Sequence, residues 1–414
     1  MAAPPRTPIS RRALVAGTLA AAGMKRVGAA TSKPDVAVVG AGVFGAWTAR
    51  ELQRRGRRVL LVDAIGPAHA GASSGGESRM TRGLYGGDEV YTRMALDSLV
   101  AWKALSDRGA LPLFHPTGVL MFFDRDEPFA RTTRAAHVRL GLPLQELSHG
   151  ELEKTYPQVR WDGIAFGLLE PGFGVLMARR AVQTLVAEFI AAGGDYLQEA
   201  VLPPTGETRI EVLATRSGAA LIAGDYVFAC GPWLPKLFPG LLGGRIFPTR
   251  QEVFFFAPPP GDARFEPGRL PGWADFNGGD IYYGMPNLES RGFKIARDRH
   301  GPAADPDTLE RQVSADGLAD IRAYLARRFP ALAAQPLVES RVCQYENSSN
   351  GDLLIDRHPA LANAWLVGAG SGHGFKHGPA VGRYVAELVL GENRSAEPRF
   401  SLASKATVQD RNAQ

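Results

Sequence analysis

Cysteine is nearly absent from this sequence of 414 residues, in which only Cys230 and Cys343 occur. Two cysteines this far apart cannot build the disulfide framework of a small secreted scaffold. Long apolar runs are lacking as well, and the run at residues 13–23 is too short for a membrane-spanning helix. These absences exclude a disulfide-stabilised fold and predict no stable membrane insertion.

An excess of one charge is also missing from most of the chain. The sequence has 47 basic and 42 acidic residues, but residues 1–30 hold five basic residues and no acidic one, so the remaining 42 basic residues balance the 42 acidic ones. Binding to nucleic-acid phosphates requires a surplus of lysine and arginine. We therefore expect no nucleic-acid partner, and we predict no metal site.

The basic residues at the start lie in a segment with the features of an export signal. Arg11 and Arg12 precede the apolar run, and the small residues of VGAAT, residues 27–31, suit a cleavage site. The segment resembles a twin-arginine signal, which directs folded proteins to the twin-arginine export machinery. We predict a signal peptide over residues 1–30 and a periplasmic or extracellular destination. The alternatives are a disordered or organelle-targeting segment and a cytoplasmic location.

Residues 35–63 read as an apolar strand, a glycine-rich turn, an amphipathic helix and a second apolar strand. The turn carries the dinucleotide-binding pattern GxGxxG. Gly40 permits the tight turn, Gly42 lets the backbone approach a pyrophosphate, and Gly45 lets the helix pack closely on the strand. Asp63 ends the second strand near the spacing of the carboxylate that binds a ribose hydroxyl. The unit predicts a dinucleotide cofactor held at a helix N-terminus.

Further pieces of a nucleotide-binding fold lie in the middle and at the end of the chain. Residues 225–233 form an apolar strand before a Gly-Pro break, and residues 364–391 read as strand, glycine turn and helix. Residues 110–124 and 250–260 are β-rich runs separated by proline and glycine. The order predicts an α/β protein in which a Rossmann-like domain is interleaved with a domain built on an antiparallel sheet.

The predicted segments alternate between these two domains. The cofactor domain takes residues 33–109, 176–245 and 338–395, and the substrate domain takes residues 110–175 and 246–337. Residues 396–414 are predicted to be a polar C-terminal tail.

Several spaced motifs occur in order over roughly residues 35–400, namely VVGAGVFGAW with VDA, GESRMTRGLYG, DIYYGMPN with GFK, RVCQY with LLIDRHP, and GSGHGFKHG. Taken together, these motifs resemble a known family, the monomeric sarcosine oxidases and N-methyltryptophan oxidases of the D-amino-acid oxidase superfamily. The resemblance implies FAD as the cofactor, in a Rossmann-like domain of the glutathione-reductase type. Spacing alone leaves FAD and NAD open.

The resemblance also implies roles for single residues. Cys343 matches the cysteine that bonds covalently to the flavin, Arg79 matches a flavin-proximal arginine, and Gly370 and Gly372 lie in the matching glycine turn. The substrate and catalytic matches are Arg82 and Lys376 for the substrate carboxylate, Lys294 for the reaction with oxygen, Tyr283 and Tyr345 as pocket aromatics, and His373 in the glycine turn. Without its motif Cys343 would read as a buried, inert thiol, which is the role we predict for Cys230.

Some positions depart from the family pattern. Asp298 stands where sarcosine oxidases place a histidine, Glu346 replaces a small hydroxyl residue after the tyrosine of the cysteine motif, and SSG before GESR replaces histidines. The substrate is therefore open. At least one of these acids should lie away from the reacting nitrogen, where it pairs with a remote cation of a larger substrate or makes a structural pair with Arg297, Arg299 or His300.

The expected reaction is oxidation of a secondary or primary amine beside a carboxylate, such as an N-methyl amino acid, with oxygen as the acceptor and an imine and hydrogen peroxide as products. Two alternatives stay open. One is a dehydrogenase that passes electrons to a carrier, which a peroxide assay run against a dye-linked assay would separate. The other is a flavin-binding module without turnover, which would not require Lys294 together with Arg82 and Lys376.

Overall fold

The computed structural model describes residues 33–277, 281–393 and 396–409, so the predicted signal peptide over residues 1–30 lies outside the described residues. The described residues from Pro34 onward form one unit by their contacts. Its α-helices are α1 Val43–Arg54, α2 Glu89–Arg108, α3 Pro128–Leu140, α4 His149–Thr155, α5 Ala178–Ala191, α6 Leu234–Leu237, α7 Pro239–Leu242, α8 Ala315–Arg328 and α9 Gly378–Val389. Within the described ranges no helix is long and apolar enough to cross a membrane.

The strands are distributed over most of the unit. They are β1 Val36–Val39, β2 Val59–Asp63, β3 Arg79–Thr81, β4 Phe114–His115, β5 Val119–Phe123, β6 Gln145–Ser148, β7 Phe166–Glu170, β8 Gly174–Leu176, β9 Asp195–Gln198, β10 Leu213–Ala214, β11 Ala220–Leu221, β12 Asp225–Phe228, β13 Ile246–Phe256, β14 Gly272–Asp275, β15 Ile281–Met285, β16 Phe293–Asp298, β17 Leu337–Ser348, β18 Leu354–Arg357 and β19 Ala364–Gly368.

A six-stranded sheet in the order β18-β19-β12-β1-β2-β9 forms the Rossmann-like part. All its pairings are parallel except that of β18 with β19. Every residue of β1 is buried, as expected of a central strand covered on both faces. Helices α1, α5 and α9 share one hydrophobic cluster with one face, and residues of α6 and α7 pack on the other. The glycine turns follow the carboxyl ends of β1 and β19, and Asp63 lies at the carboxyl end of β2.

An eight-stranded sheet in the order β17-β13-β16-β15-β14-β5-β7-β6 forms the second layer. Its pairings are antiparallel except that of β5 with β14. Helix α8 packs on this sheet through Ile321 and Leu325 in an aromatic-rich cluster. The predicted fold class, a Rossmann-like domain interleaved with an antiparallel sheet, is confirmed.

The structure differs from the predicted segments at two places. Strand β17, which carries Cys343, pairs with β13 in the eight-stranded sheet, although the segment from residue 338 was assigned to the cofactor domain. Residues 396–409 also differ from a simple polar tail, because Phe400 is buried and Arg399 binds Asp88 and Asp352, each at 2.6 Å. Long-range pairing, which local sequence does not encode, decides both.

Candidate active site

A large cavity of about 580 Å³ lies at the carboxyl ends of β1 and β2. Its lining includes the predicted cofactor residues Gly40, Gly42, Asp63, Gly370 and Gly372. A volume of this size lies within the range of small-molecule and cofactor sites, roughly 300–1,000 Å³. The structure thus brings together two glycine turns that are more than 300 positions apart in the sequence.

The first glycine turn has the geometry that its sequence predicts. Gly40 has φ +106°, and a Cβ there would overlap the carbonyl oxygen of Ala229. A Cβ on Gly45 would overlap the carbonyl oxygen of Gly40, so only glycine lets α1 pack this closely. Asp63 accepts hydrogen bonds from the N–H of Ala41 at 2.7 Å and of Gly66 at 2.7 Å. The carboxylate therefore connects the glycine turn to the end of β2 by hydrogen bonds, and Asp63 lines the large cavity.

A small cavity of about 80 Å³ adjoins the large one. The two linings share Arg79, Tyr345, Gly372 and Phe375. The lining of the small cavity contains most of the predicted catalytic residues, namely Arg82, Lys376, Tyr283, Tyr345 and His373, together with Cys343 and Asp298. The predicted substrate residues are thus collected next to the predicted cofactor residues.

Two buried cations, Arg82 and Lys376, meet at Tyr85. The guanidinium of Arg82 lies over the Tyr85 ring, 4.2 Å from its centre, and Nη1 donates to the carbonyl of Leu84. Lys376 Nζ donates to Tyr85 Oη at 2.8 Å and to the carbonyl of His373 at 2.7 Å. Their side chains are 8% and 6% exposed, which leaves two positive charges in a poorly solvated wall. Two positive charges in one poorly solvated wall attract an anionic group.

Tyr85 and His377 are part of this network, although the sequence analysis did not single them out. Tyr85 Oη lies 3.1 Å from His373 Nδ1 and 2.8 Å from His377 Nε2. Burial, assisted by the charge of Lys376, holds the pKa of His377 well below its ordinary value, so its imidazole is neutral. Both residues stand inside the quoted motifs GESRMTRGLYG and GSGHGFKHG, which was the signal available for finding them.

Tyr283 of β15 and Tyr345 of β17 form an uncharged aromatic part of the small-cavity wall. Burial raises the pKa of Tyr283 to about 12, and the charge of Asp298 acts in the same direction. Burial also raises the pKa of Tyr345, whose Oη donates to Asp298 Oδ1 at 2.9 Å. Both phenols therefore keep their protons at neutral pH and serve as hydrogen-bond donors.

Asp298 lines the small cavity, and so does its sequence neighbour Arg297. Side chains alternate along a strand, so Lys294, Ala296 and Asp298 share one face of β16. Arg297, on the other face, binds Asp320 of α8 at 3.3 Å. The observed contact of Asp298 with Tyr345 places the carboxylate beside the predicted substrate residues.

Glu346 lies in a different place, in the lining of the large cavity. It is 5% exposed, and its Oε1 has no hydrogen-bond partner among the residues that the structure describes. Burial raises the pKa of Glu346 to about 8, against the opposite effect of backbone N–H groups of Ala369 and Gly370. The two unusual acids of the sequence are thus divided between the two cavities.

The two cysteines also occupy different cavities. Cys343 is 7% exposed, lies in β17 and lines the small cavity, with Val253, Ala296 and Tyr283 packed around it. Cys230 packs against the cluster on the other face of the six-stranded sheet and lines the large cavity. Its Sγ donates to the carbonyl of Val39 at 3.4 Å, and burial raises its pKa. Both thiols are free.

Lys294 is the one predicted catalytic residue outside the linings of both cavities. It is 2% exposed, and its Nζ donates to the carbonyl of Ser78 at 2.6 Å and lies 3.3 Å from Ser78 Oγ. Burial lowers the pKa of Lys294 to about 7, and the positive charge of Arg79 adds to this effect. Arg79 itself donates to the carbonyls of Ser78 at 2.8 Å and Ser73 at 2.7 Å and lines both cavities. Lys294 therefore binds Ser78, the residue next to Arg79, and Arg79 borders both cavities.

Within the described ranges, no cluster of histidine, cysteine, aspartate or glutamate could hold a metal ion. The residues present fit a dinucleotide. Gly40, Gly45 and Gly372 leave no room for a Cβ, helix α1 begins at the first glycine turn, and the cavity has the size of a cofactor site. The arrangement can hold an extended cofactor in the large cavity and an anionic small molecule in the small one.

Comparison with known proteins gives consistent results. Residues 35–388 match the family described as "DAO: FAD dependent oxidoreductase". The chain is 29% identical over 366 residues to the monomeric sarcosine oxidase of Bacillus sp. (strain B-0618), covering 86% of this chain and 92% of that protein. It is 27% identical over 368 residues to the N-methyl-L-tryptophan oxidase of Salmonella heidelberg (strain SL476), covering 88% and 96%. The crystal structure of L-proline dehydrogenase from P. horikoshii shares the fold, with a TM-score of 0.76, 21% identity and coverage of 90% and 97%.

Proposed function

The chain belongs to the DAO family of FAD-dependent oxidoreductases, and from that premise we propose that it oxidises the amine of an amino acid or N-methyl amino acid and reduces oxygen to hydrogen peroxide. The observation that carries the proposal is the junction of the two cavities. The small cavity has two buried cations in its wall and adjoins the large cavity through Arg79 and Tyr345. Relatives of this chain are named as oxidases of sarcosine and of N-methyl-L-tryptophan, which supports the same substrate class.

The large cavity is the proposed FAD site. The two glycine turns, with Gly40, Gly42, Gly370 and Gly372 in the cavity wall, would let the protein backbone approach the cofactor closely. Asp63 would face the ribose. When bound, FAD supplies the two-electron acceptor for the carbon–hydrogen bond beside the amine nitrogen. Burial of the surrounding side chains excludes water from the place where that bond breaks.

The protein's own residues would bind and orient the substrate. Arg82 and Lys376, which we call the carboxylate clamp, would hold the substrate carboxylate. Tyr283 and Tyr345 would bound the rest of the substrate with neutral, protonated phenols. Only an unprotonated amine can give up hydride, so the positive charges of the clamp would also favour the neutral form of a nearby amine.

Lys294 would act on oxygen rather than on the amine. A protonated Nζ buried behind the junction would stabilise the negative charge that develops on oxygen as it is reduced. Cys343 would tether the flavin through a thioether; it lines the small cavity two residues before Tyr345, which borders both cavities, and this closeness to the proposed FAD site supports the role.

Asp298 bears on substrate choice. Because its carboxylate lies in the small cavity together with the carboxylate clamp, a substrate with a carboxylate and a second, remote cation would meet complementary charges. We therefore infer a preference for basic over neutral N-substituted amino acids. Glu346, in the large cavity, would not contact the substrate.

The proposal is tested on purified protein with a panel of N-methyl, cyclic and basic amino acids. Flavin bleaching under anaerobic conditions identifies substrates, and a peroxidase-coupled assay in air then measures hydrogen peroxide. Bleaching together with peroxide supports an oxidase. Bleaching without peroxide, but with reduction of a dye, would instead show a dehydrogenase that uses a carrier. Absence of bleaching with every amine would contradict catalysis on amines. Export through the twin-arginine route remains a separate proposal, tested by fractionating cells that express the chain with and without Arg11→Lys and Arg12→Lys.

A further inference from the structure

A buried histidine–glutamate pair lies behind Arg82, and neither member lines the two cavities. His137 of α3 and Glu170 at the end of β7 are 2% and 1% exposed. His137 Nε2 lies 2.8 Å from Glu170 Oε1, and Nδ1 lies 2.9 Å from the carbonyl of Thr133. Burial acts to lower the pKa of His137, but the hydrogen bond and charge of Glu170 outweigh burial and raise it. Both ring nitrogens of His137 face oxygen acceptors, and both oxygens of Glu170 accept backbone N–H groups, which is the hydrogen-bond pattern of an imidazolium paired with a carboxylate.

The carboxylate of Glu170 holds the loop that follows Arg82. The N–H of Gly83 donates to Oε2 at 2.9 Å and to Oε1 at 3.1 Å, and the N–H of Leu84 lies 3.3 Å from Oε2. A Cβ on Gly83 would lie 2.8 Å from Glu170 Oε1, so the loop is seated directly on the carboxylate. Two consecutive backbone N–H groups and one imidazolium thus converge on a single buried anion.

The held loop is what fixes the carboxylate clamp. The carbonyl of Leu84 accepts the hydrogen bond from Arg82 Nη1, and the next residue, Tyr85, lies under the guanidinium and accepts from Lys376 Nζ. Moving Gly83 and Leu84 would therefore move the partners of both cations. The effect on catalysis of misplacing such groups by about 1 Å can reach a hundredfold.

We propose that Glu170 and His137 are positioning residues for the carboxylate clamp: Glu170 fixes the Gly83–Leu84 backbone on which Arg82 and Tyr85 are oriented, and His137 orients and balances Glu170. The inference rests on the proposed function, because it assumes that the clamp binds a carboxylate. Neither residue touches substrate or cofactor in this scheme.

The test measures binding of thiophene-2-carboxylate to the FAD-loaded protein by the change in flavin absorbance. Glu170→Gln keeps the shape and removes the charge, so we expect about five- to tenfold weaker binding. His137→Leu should have a similar effect. His137→Gln, whose amide can reach the Nε2 position and donate to Glu170, should bind within about twofold of wild type. The matched control is Asn363→Asp, an isosteric change at a residue that is 1% exposed, binds the backbone at Ile210 and lies outside both cavity linings.

The outcomes separate this inference from the proposed function. Weaker binding in Glu170→Gln and His137→Leu, with FAD content and flavin spectrum retained, recovery in His137→Gln and no change in Asn363→Asp, supports positioning. Unchanged binding in both, while Arg82→Ala weakens it, overturns positioning and leaves the clamp intact. Equal losses in His137→Gln, His137→Leu and Asn363→Asp show general disruption and also overturn it. If Arg82→Ala itself leaves binding unchanged, the clamp fails and the inference fails with it. Should Glu170→Gln not fold, the two His137 variants decide.

Discussion

Replacing Lys294 by methionine should slow the reaction with oxygen and leave the reaction with the amine nearly unchanged. The side chain is 2% exposed, and Nζ donates to the Ser78 carbonyl rather than lining the small cavity. Losing one preorganised charge that stabilises developing negative charge costs about 100- to 1,000-fold in rate. Flavin reduction, which does not require that charge, should change by less than about threefold.

The rate of reoxidation should also depend on pH in wild type but not in Lys294→Met. Because the pKa of Lys294 is lowered to about 7, Nζ is protonated below pH 7 and loses its charge above it. Reoxidation by oxygen should therefore be fast at pH 6 and fall through a midpoint near 7 in wild type. In Lys294→Met it should be slow and independent of pH over this range.

Lys294 should also affect stability, with a sign that follows from linkage. Lowering the pKa of Lys294 from 10.5 to about 7 on folding means that its protonated form reduces the free energy of unfolding by roughly 5 kcal/mol. This loss is absent above pH 10.5, where the lysine is neutral in both states, and complete below pH 7. The melting temperature of Lys294→Met relative to wild type should therefore be higher at pH 6.5 than at pH 10.

The assay is stopped-flow spectroscopy of the two half-reactions between pH 6 and 9, with Lys103→Met as the control because Lys103 is an exposed lysine of α2. Anaerobic mixing with substrate gives the reduction rate, and mixing reduced protein with oxygen gives reoxidation. Equal reoxidation rates for wild type and Lys294→Met would refute the reasoning. An identical pH profile in both proteins would show that another group supplies the charge.

The other predictions concern the tether, the clamp and the two unusual acids. Flavin colour should stay on the polypeptide after denaturation and acid precipitation, and Cys343→Ala should release it to the supernatant; colour in the supernatant of wild type would rule out the tether. Arg82→Ala should raise the dissociation constant of carboxylate inhibitors about 10- to 150-fold in flavin titrations, and an unchanged constant would contradict the clamp. Asp298→Asn should lower the ratio of specificity constants for a basic N-substituted amino acid over sarcosine, whereas an unchanged ratio would make Asp298 a bystander. Burial raises the pKa of Glu346 from 4.5 to about 8, so the ionised carboxylate destabilises the folded protein increasingly as the pH rises above 4.5, and fully above pH 8. Glu346→Gln should therefore raise the melting temperature more at pH 9 than at pH 5, and the reverse order would contradict this assignment.

Local patterns in the sequence were sufficient to predict the βαβ unit and its glycine turn. An apolar run of strand length, a glycine at a positive φ and a helical period of apolar residues are each read from a few neighbouring positions. The same locality explains why the glycine turn after β19 could be matched to the first one. The fold class follows from such segments and their order, whereas FAD as the cofactor followed only from the resemblance to the family.

Tertiary structure alone decided how residues from different segments meet. Strand β17 joined β13 in the eight-stranded sheet because pairing depends on a partner about 100 positions away, which no local pattern names. Tyr85 is the common contact of Arg82 and Lys376. Glu170, paired with His137, binds the Gly83–Leu84 backbone that lies between Arg82 and Tyr85. Burial, which sets the lowered pKa of Lys294, likewise exists only once distant segments have packed together.

The two acids that depart from the family pattern show the same division. Sequence identified Asp298 and Glu346 as unusual, because residue type is compared position by position. Only the structure assigned Asp298 to the small cavity and Glu346 to the large one. Strand alternation places Asp298 on the face that it shares with Lys294, while Arg297 binds Asp320 of α8 from the other face and also borders the small cavity. The alternation is visible in sequence, but which face of a strand meets a cavity depends on what packs against it.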